Sequence, residues 1–387
     1  MSRLTRWLLA MGLVAAVALL VGRSLPDRDP GLQVAAQLVA PTVDASGYAR
    51  VTGPQPLAFP ADHGPHPDYQ TEWWYYTGNL QTADGRRFGY QLTFFRRALA
   101  PPAERAERES DWAADQAYMA HLALTDVAGR EHRAFQRYAR GAAGLAGAAG
   151  DPFRVWLEDW KVEAVAPNGY QLRAAQENLA LDLLLVDEKG PILHGDAGYS
   201  QKGPDPGNAS IYFSQTRLAS SGTVALGNAV FEVEGTSWMD HEFSTSALAA
   251  NQIGWDWFAL QLDDGSELMV FQIRQVDGRI DPFSSGTLIA PDGSTRHLTH
   301  GEYTINPVDT WRSPHSGAAY PARWKITVPS TGLYLEITPF LADQEMNVST
   351  TYWEGAVHIT GEQDGTPVTG VGYVEMTGYA GSMQGQF

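Results

Sequence analysis

The sequence predicts an all-β protein made of two antiparallel β-barrels in tandem, the products of an internal duplication. Three observations carry this. Aromatic and β-branched runs are cut by turn dipeptides such as Asp84-Gly85, while few stretches hold a sustained 3.6-residue period. Aromatic residues make up 11% of the chain and charged ones only 18%, with 39 Gly and 23 Pro, a strand-rich profile. Blocks of the first half recur in the second half in the same order. At 387 residues the chain is long enough for two cores.

Arg3 and Arg6 precede an apolar run from Trp7 to Gly22, so residues 1–23 read as a signal peptide or an uncleaved membrane anchor. The body is therefore expected to be exported: periplasmic, or held at the outer face of the inner membrane. Residues 24–54 are rich in Pro, Gly and Ala without a period and read as a linker. The first barrel is expected over 55–248 and the second over 249–387. Its opening hairpin, Tyr69 to Arg97, turns at Asp84-Gly85. In the second arm Phe88, Tyr90, Leu92 and Phe94 make one large apolar face. Gly89, Gln91, Thr93 and Phe95 make a mixed face of the kind that lines a cavity. A loop over 98–110, a short helix over 111–118, a strand at His121–Thr125 and a turn near Gly129 follow. The Gly/Ala run 141–150 reads as a loop or cavity lip; it lacks the lysine of a phosphate cradle. Further strands are expected over 154–165, 170–175, 179–186, 211–218 and 230–234.

The repeat has four matching blocks. Gly254–Arg274 echoes the first hairpin, Ser285–Leu298 parallels Ala120–Arg133, Trp324–Thr338 parallels Trp160–Ala174, and Tyr352–Tyr379 parallels Tyr212–Trp238. Each unit then has about eight strands over roughly 130–190 residues, the size of a closed barrel with a ligand-sized interior. Arg96 and Arg274 fall at equivalent places, and each is expected to close its barrel end by stacking on the Trp of its hairpin. Aligning Gly235–Asp240 with Met376–Gly381 keeps an aromatic, Trp238 or Tyr379, but loses the carboxylate. That asymmetry places any chemistry in or beside the first barrel.

Several classes are excluded. A formal charge of −17 leaves no basic surface for nucleic acid. Without cysteine there is no disulfide, thiolate nucleophile or zinc–sulfur site. No G-x-S-x-G elbow and no dinucleotide fingerprint is present, and no cofactor is expected. His63, His66, Asp68 and Glu72 have loosely suitable spacing for a metal, and His241-Glu242 begins like a zincin but lacks the second histidine. No metal is expected.

What remains is the junction 235–258, where Asp240, His241 and Glu242 sit among Trp238, Phe243, Trp255 and Trp257. A carboxylic acid kept neutral by apolar burial can protonate an alkene, and aromatic faces then stabilise the cation until water adds. On this reading Asp240 is the acid, Trp238 its aromatic partner and His241 a proton relay. Trp73, Trp74, Tyr75, Tyr90, Tyr212, Trp255 and Trp257 are the candidate substrate-binding aromatics. Strand alternation sends neighbours to opposite faces, and which of residues 73–76 face a cavity stays open. Glu72 is either a second acid or the buried partner of Arg96. In the alternative reading, Asp240 and His241 simply cap a polar connector.

Four motifs, EWWYYTGNL (72–80), FGYQLTFFR (88–96), SWMDHEFS (237–244) and GWDWFALQLDDG (254–265), resemble those of the carotenoid 1,2-hydratase (hydroxyneurosporene synthase) superfamily. The likeness is strongest to its AttH-like, lipocalin-like secreted branch and spans nearly all of the chain after about Val51. It implies two lipocalin-like (calycin) barrels and a hydrophobic small-molecule ligand: an isoprenoid, carotenoid or lipid. Enzymes of the superfamily hydrate a terminal isoprenoid double bond, and related folds cyclise polyketides. The branch carries a predicted-hydrolase label and is linked with an ABC transport system of the cell envelope. The resemblance assigns proton donation to the position of Asp240, beside the aromatic at Trp238. The hydratases also carry a His and a Trp on an upstream strand, where this chain reads Ile211-Tyr212-Phe213-Ser214. The two functions implied are a hydratase-like lyase and a non-catalytic lipid or isoprenoid carrier.

Overall fold

At the Asp84-Gly85 turn, Gly85 takes φ 88°, a conformation open to glycine at little cost. It joins β1 (Thr71–Gln81) to β2 (Arg87–Ala98). The computed structural model describes residues 45–384 apart from 106–109, 111, 167 and 247. The signal or anchor expected over 1–23 and the linker up to residue 44 lie outside the described residues.

The first sheet continues with β3 (Gln116–Asp126), β4 (Glu131–Arg140), β5 (Ala146–Gly150), β6 (Phe153–Leu157), β7 (Trp160–Ala166) and β8 (Gly169–Gln176). It is completed by β9 (Leu179–Asp187), β10 (Pro191–Leu193), β11 (Tyr199–Gln201), β12 (Ala209–Leu226) and β13 (Ala229–Ser244). The ladder runs β4-β3-β2-β1-β13-β12-β9-β8-β7-β6-β5, and β10 and β11 also pair with β12. The second sheet holds β14 (Gln252–Leu262), β15 (Glu267–Gln275), β16 (Ser285–Ile289), β17 (Thr295–Thr299) and β18 (Thr304–Arg312). After them come β19 (Ala319–Val328), β20 (Leu333–Pro339), β21 (Glu345–Asn347), β22 (Thr351–Gln363) and β23 (Thr366–Met376). Its ladder runs β17-β16-β15-β14-β23-β22-β20-β19-β18, with β21 on β22. Each sheet curls into a lipocalin-like barrel, and the matching strand orders are the duplication seen in three dimensions.

Three local expectations are corrected. The segment expected as a helix over 111–118 runs into β3 at Gln116, and no helix is present there among the described residues. The Gly/Ala run is no loop at its C-terminal end: β5 pairs with β6, and its small side chains make room for a ring. A Cβ on Gly147 would lie 2.6 Å from the Trp156 ring. Val51, placed by sequence in the linker, packs with Tyr69, Ile211 and Phe243.

Alternation along the strands decides where the cores and the site lie. In the first barrel Trp74, Tyr76, Phe88, Tyr90, Leu92 and Phe94 point inward and form one continuous core with Val162, Leu172 and Leu183. The second barrel is filled in the same way around Phe258, Trp324, Ile326 and Trp353. A third cluster draws on both sheets: Tyr75, Tyr212, Trp238, Trp257, Phe271 and Tyr373 lie between the barrels. The interiors are packed, and the outer faces of β1, β12 and β13 meet those of β14, β22 and β23.

Candidate active site

The cavity lies in that interface. It has a volume of about 160 Å³ and is lined from both halves, by Trp73, Tyr75 and Tyr212 on one side and Trp255, Trp257 and Phe271 on the other. Asp240, Glu242, Glu375 and Lys202 face it as well. The cavity thus lies beside the first barrel, and the expectation of a ligand-sized barrel interior is corrected, because large side chains already fill that interior.

Asp240 reaches the cavity because β13 alternates: Trp238, Asp240 and Glu242 project to the interface, while Met239, His241 and Phe243 project away. The carboxyl is 4% exposed. Its Oδ1 accepts from the Trp238 indole N–H at 2.6 Å and from the Ser214 hydroxyl. Its Oδ2 accepts from the Tyr212 hydroxyl at 2.9 Å, and that hydroxyl accepts from the Trp257 indole at 3.0 Å. Burial, aided by the nearby Glu242, outweighs the three donors that favour the carboxylate and leaves Asp240 at about 7. A carboxyl poised there keeps a substantial neutral fraction at neutral pH, as a proton donor to an apolar substrate requires.

A histidine does serve this carboxyl, from outside the strand where the family motif would place one. His194, just after β10, lies with Nε2 2.6 Å from Ser214 Oγ and Nδ1 2.9 Å from Thr287 Oγ1. Its ring centroid is 4.3 Å from that of Tyr212. Burial, helped by Lys202 and His297, lowers it to about 3, so it stays neutral. With Nε2 protonated it donates to Ser214, which donates to Asp240, and Thr287 donates to Nδ1. Sequence reading missed His194 because it lies in a short segment outside the four matched blocks of the repeat. Lys202 was missed for the same reason: its Nζ is 3.4 Å from Glu242 Oε1 and 4.2 Å from the Phe271 ring centroid.

Of the candidates named from sequence, Asp240, Trp238, Trp73, Tyr75, Tyr212, Trp255 and Trp257 are brought together here. Trp74, Tyr90, His241 and Glu72 are not; they occupy the opposite face, inside the first barrel. Tyr90 bonds Ser237 Oγ at 2.7 Å, and the Trp74 indole donates to the His63 carbonyl at 3.0 Å. His241 is no relay for Asp240, since consecutive strand residues face opposite ways. Its Nε2 bonds Glu72 Oε1 at 2.8 Å, and burial lowers its pKa, an effect Glu72 partly offsets.

Glu72 is the structural partner of Arg96, whose Nε lies 2.8 Å from Oε2. Both carboxylate oxygens also accept from the His66 backbone N–H at 3.0 Å. Burial alone would raise Glu72, but Arg96, His241 and His66 together hold it well below the usual carboxylate range. The expected stacking of Arg96 and Arg274 on hairpin tryptophans is replaced by acid–arginine pairs. Arg274 Nε meets Asp256 Oδ1 at 3.2 Å, and its guanidinium lies over Tyr379 at 3.7 Å.

His66, Glu72 and His241 place ligand-type atoms within 4.8 Å of one another. They do not suit a cation: the carboxylate already binds the Arg96 guanidinium, and both ring nitrogens that face it are hydrogen-bonded to it. Of the other metal candidates, Asp68 is exposed and His63 packs among Phe59, Phe153 and Phe213.

The register also corrects the alignment of the two halves. Asp240 lies beside Tyr75 on β1 and Ser214 on β12. Glu375 lies beside Trp257 on β14 and Glu354 on β22, the same places in the second ladder. The carboxylate is therefore present in both copies, and both copies point it into one cavity.

The sequence matches the AttH-like family model over residues 50–379. Among solved structures the chain is similar to an AttH protein from Nitrosomonas europaea, 37% identical, covering 86% of this chain and 99% of that one, with a TM-score of 0.77. It shares its fold with kievitone hydratase from Nectria haematococca (14% identity, 88% of this chain and 98% of that one, TM-score 0.65). It shares it also with CghA, crystallised with Sch210972 (10% identity, 87% and 98%, TM-score 0.50). No curated protein matches the sequence significantly.

Proposed function

The chain belongs to the AttH-like family, and from that premise we propose that it is a hydratase-like lyase. It adds water by acid catalysis across a carbon–carbon double bond of an isoprenoid- or lipid-like substrate. The observation that carries this is Asp240: a buried carboxyl, poised near neutrality, facing an aromatic cavity. Asp240 gives its proton to the less substituted alkene carbon. The cation left on the neighbouring carbon lies among the faces of Trp73, Tyr212 and Trp257, where aromatic quadrupoles are worth about 2 kcal/mol or more once water is excluded. Water then adds to it and gives up one proton, which restores the acid form of Asp240 by the end of the cycle. Tyr212, Trp238 and Ser214 hold the resulting carboxylate with three hydrogen bonds, so the acid's conjugate base is stabilised as it forms.

Cavity size bears on the substrate. About 160 Å³ is close to the engineered cavity of about 150 Å³ that holds one benzene. It suits the branched end of a chain or a single ring, with the remainder of a long molecule outside. A carrier serving an ABC transporter needs an apolar lining without a poised acid; three carboxyls and a lysine favour chemistry. The apolar run after Arg3 and Arg6 supports export, which would place the enzyme beside membranes in which such substrates dissolve.

The test is incubation of the purified protein with squalene and with a dimethylallyl-substituted phenol in H₂¹⁸O, followed by mass spectrometry. Product heavier by one labelled water, lost about 100-fold or more in Asp240→Asn, is the expected result. An Asp240→Asn protein that retains full turnover refutes the mechanism.

A further inference from the structure

Glu375 enters the cavity from the second sheet and has no part in the scheme above. Its place is the counterpart of Asp240 in the ladder, and its holding contact is of the same kind. The Trp255 indole N–H donates to Glu375 Oε2 at 3.1 Å, as Trp238 donates to Asp240. Both acids line one cavity of a size for one alkene end and a water molecule. Acid and base on two sides of a bound double bond is the arrangement that water addition requires, and a pair of carboxyls is one chemical solution to it.

We propose that Glu375 is the second catalytic carboxyl, the base that takes a proton from the attacking water while Asp240 gives one to the alkene. This deepens the hydratase reading and rests on it. In the step, the Asp240 O–H bond breaks as a C–H bond forms. The oxygen of water bonds to the adjacent cationic carbon, and one of its O–H bonds breaks toward Glu375. The product gains H and OH; Asp240 is left as carboxylate and Glu375 protonated. Return of that proton from Glu375 to Asp240 within the cavity restores the starting state, and no oxidant or other co-reactant is consumed. The substrate class follows: an alkene carrying more alkyl groups on one carbon than the other, since only such an alkene gives a cation at a defined carbon.

The surroundings suit a shared proton. Burial, with the charges of Asp240 and Glu242, outweighs the bond from Trp255 and leaves Glu375 at about 7. Two acids that repel each other when both are ionised hold one proton between them over the neutral range. Lys202 faces the same cavity, paired with Glu242. Behind Glu375, at the place Ser214 holds in the first copy, lies Glu354. It is wholly buried and faces the hydroxyls of Tyr75 and Tyr352. Burial first, and the charge of Glu375 second, push Glu354 well above the usual carboxyl range, so it stays neutral and adds no competing charge.

The test compares wild type, Glu375→Gln and Trp255→Phe in the labelled-water assay as a function of pH. The wild-type profile is expected to be bell-shaped: below the acid limb both carboxyls are protonated, and above the alkaline limb both are ionised. Glu375→Gln, isosteric and still able to accept from Trp255, should lose about 100-fold in kcat and lose the acid limb. Trp255→Phe removes a bond that lowers Glu375 and should move the acid limb to higher pH. Unchanged kcat and an unchanged acid limb in Glu375→Gln overturn the role of Glu375 while leaving Asp240 as the acid. Should wild type turn over neither probe, the hydratase reading fails with those substrates, and carboxyl-stretch infrared titration decides the pair. Asp240 should then titrate at lower pH in Glu375→Gln; an unmoved Asp240 overturns the coupling.

Discussion

Replacing Asp240 by Asn should make the protein more stable at alkaline pH, although it removes the proposed acid. Asp240 goes from an ordinary value of 3.8 to about 7 in the fold. The native state therefore binds its proton more tightly than the unfolded chain, and stability falls as pH rises between these two values. At 1.36 kcal/mol per pH unit the full penalty, reached above the folded value, is about 4 kcal/mol. About half of it, roughly 2 kcal/mol, develops between about pH 5.5 and about pH 8. Asparagine has no such penalty, but its amide cannot accept from all of Trp238, Ser214 and Tyr212, at a pH-independent cost of about 1–3 kcal/mol. The decisive quantity is thus the change with pH of the difference between variant and wild type. Chemical denaturation at the two pH values measures it, and the variant should gain about 2 kcal/mol on wild type between them. Release of Glu375 from a charged neighbour acts in the same direction. Parallel stabilities across that range would show that the carboxyl ionises in the fold as it does in water, and the reasoning would fail.

On the other face of the same strands, Glu72→Gln leaves the Arg96 guanidinium buried without its carboxylate and should cost about 3–5 kcal/mol by denaturant unfolding. Because Glu72 is held below its ordinary 4.5, its contribution is present above that value and lost as pH falls. Wild type should therefore weaken more steeply than the variant below about pH 4. His241→Gln should lower stability by about 1–3 kcal/mol yet leave the alkaline limb of the rate profile in place; a moved limb would restore His241 as a relay. Ser214→Ala removes a donor that lowers Asp240, so the alkaline limb should shift up by about one pH unit, and a downward shift would contradict the network.

The fold was largely legible in the sequence because its signals are local. Asp84-Gly85 and Asp264-Gly265 mark hairpin turns wherever they occur, and repeated aromatic blocks carry the duplication. The site was legible only as a set of residue types. Strand alternation has two phases, and nothing in EWWYY says whether Trp73 or Trp74 faces the core; pairing with β13 settles it. Aligning the halves on Trp238 and Tyr379 displaced the comparison, since Tyr379 lies beyond the end of β23 and the ladder equates Asp240 with Glu375 instead. His194 and Lys202 come from connecting segments whose paths depend on packing against the second sheet, through Thr287 and Phe271. The expected cavity was sought inside a barrel, whereas the interiors are full and the space lies between them.

Covalent fusion of the two barrels has its own consequence for that space. A homodimer of one barrel would present the same residue from both sides of its twofold axis, so its two acids would share one length and one set of neighbours. In a single chain the positions are free to diverge. Here one is aspartate beside a serine, and the other is a longer glutamate backed by another glutamate. Broken symmetry lets one partner start as donor and the other as acceptor, a division of labour that an unfused ancestor could not have encoded.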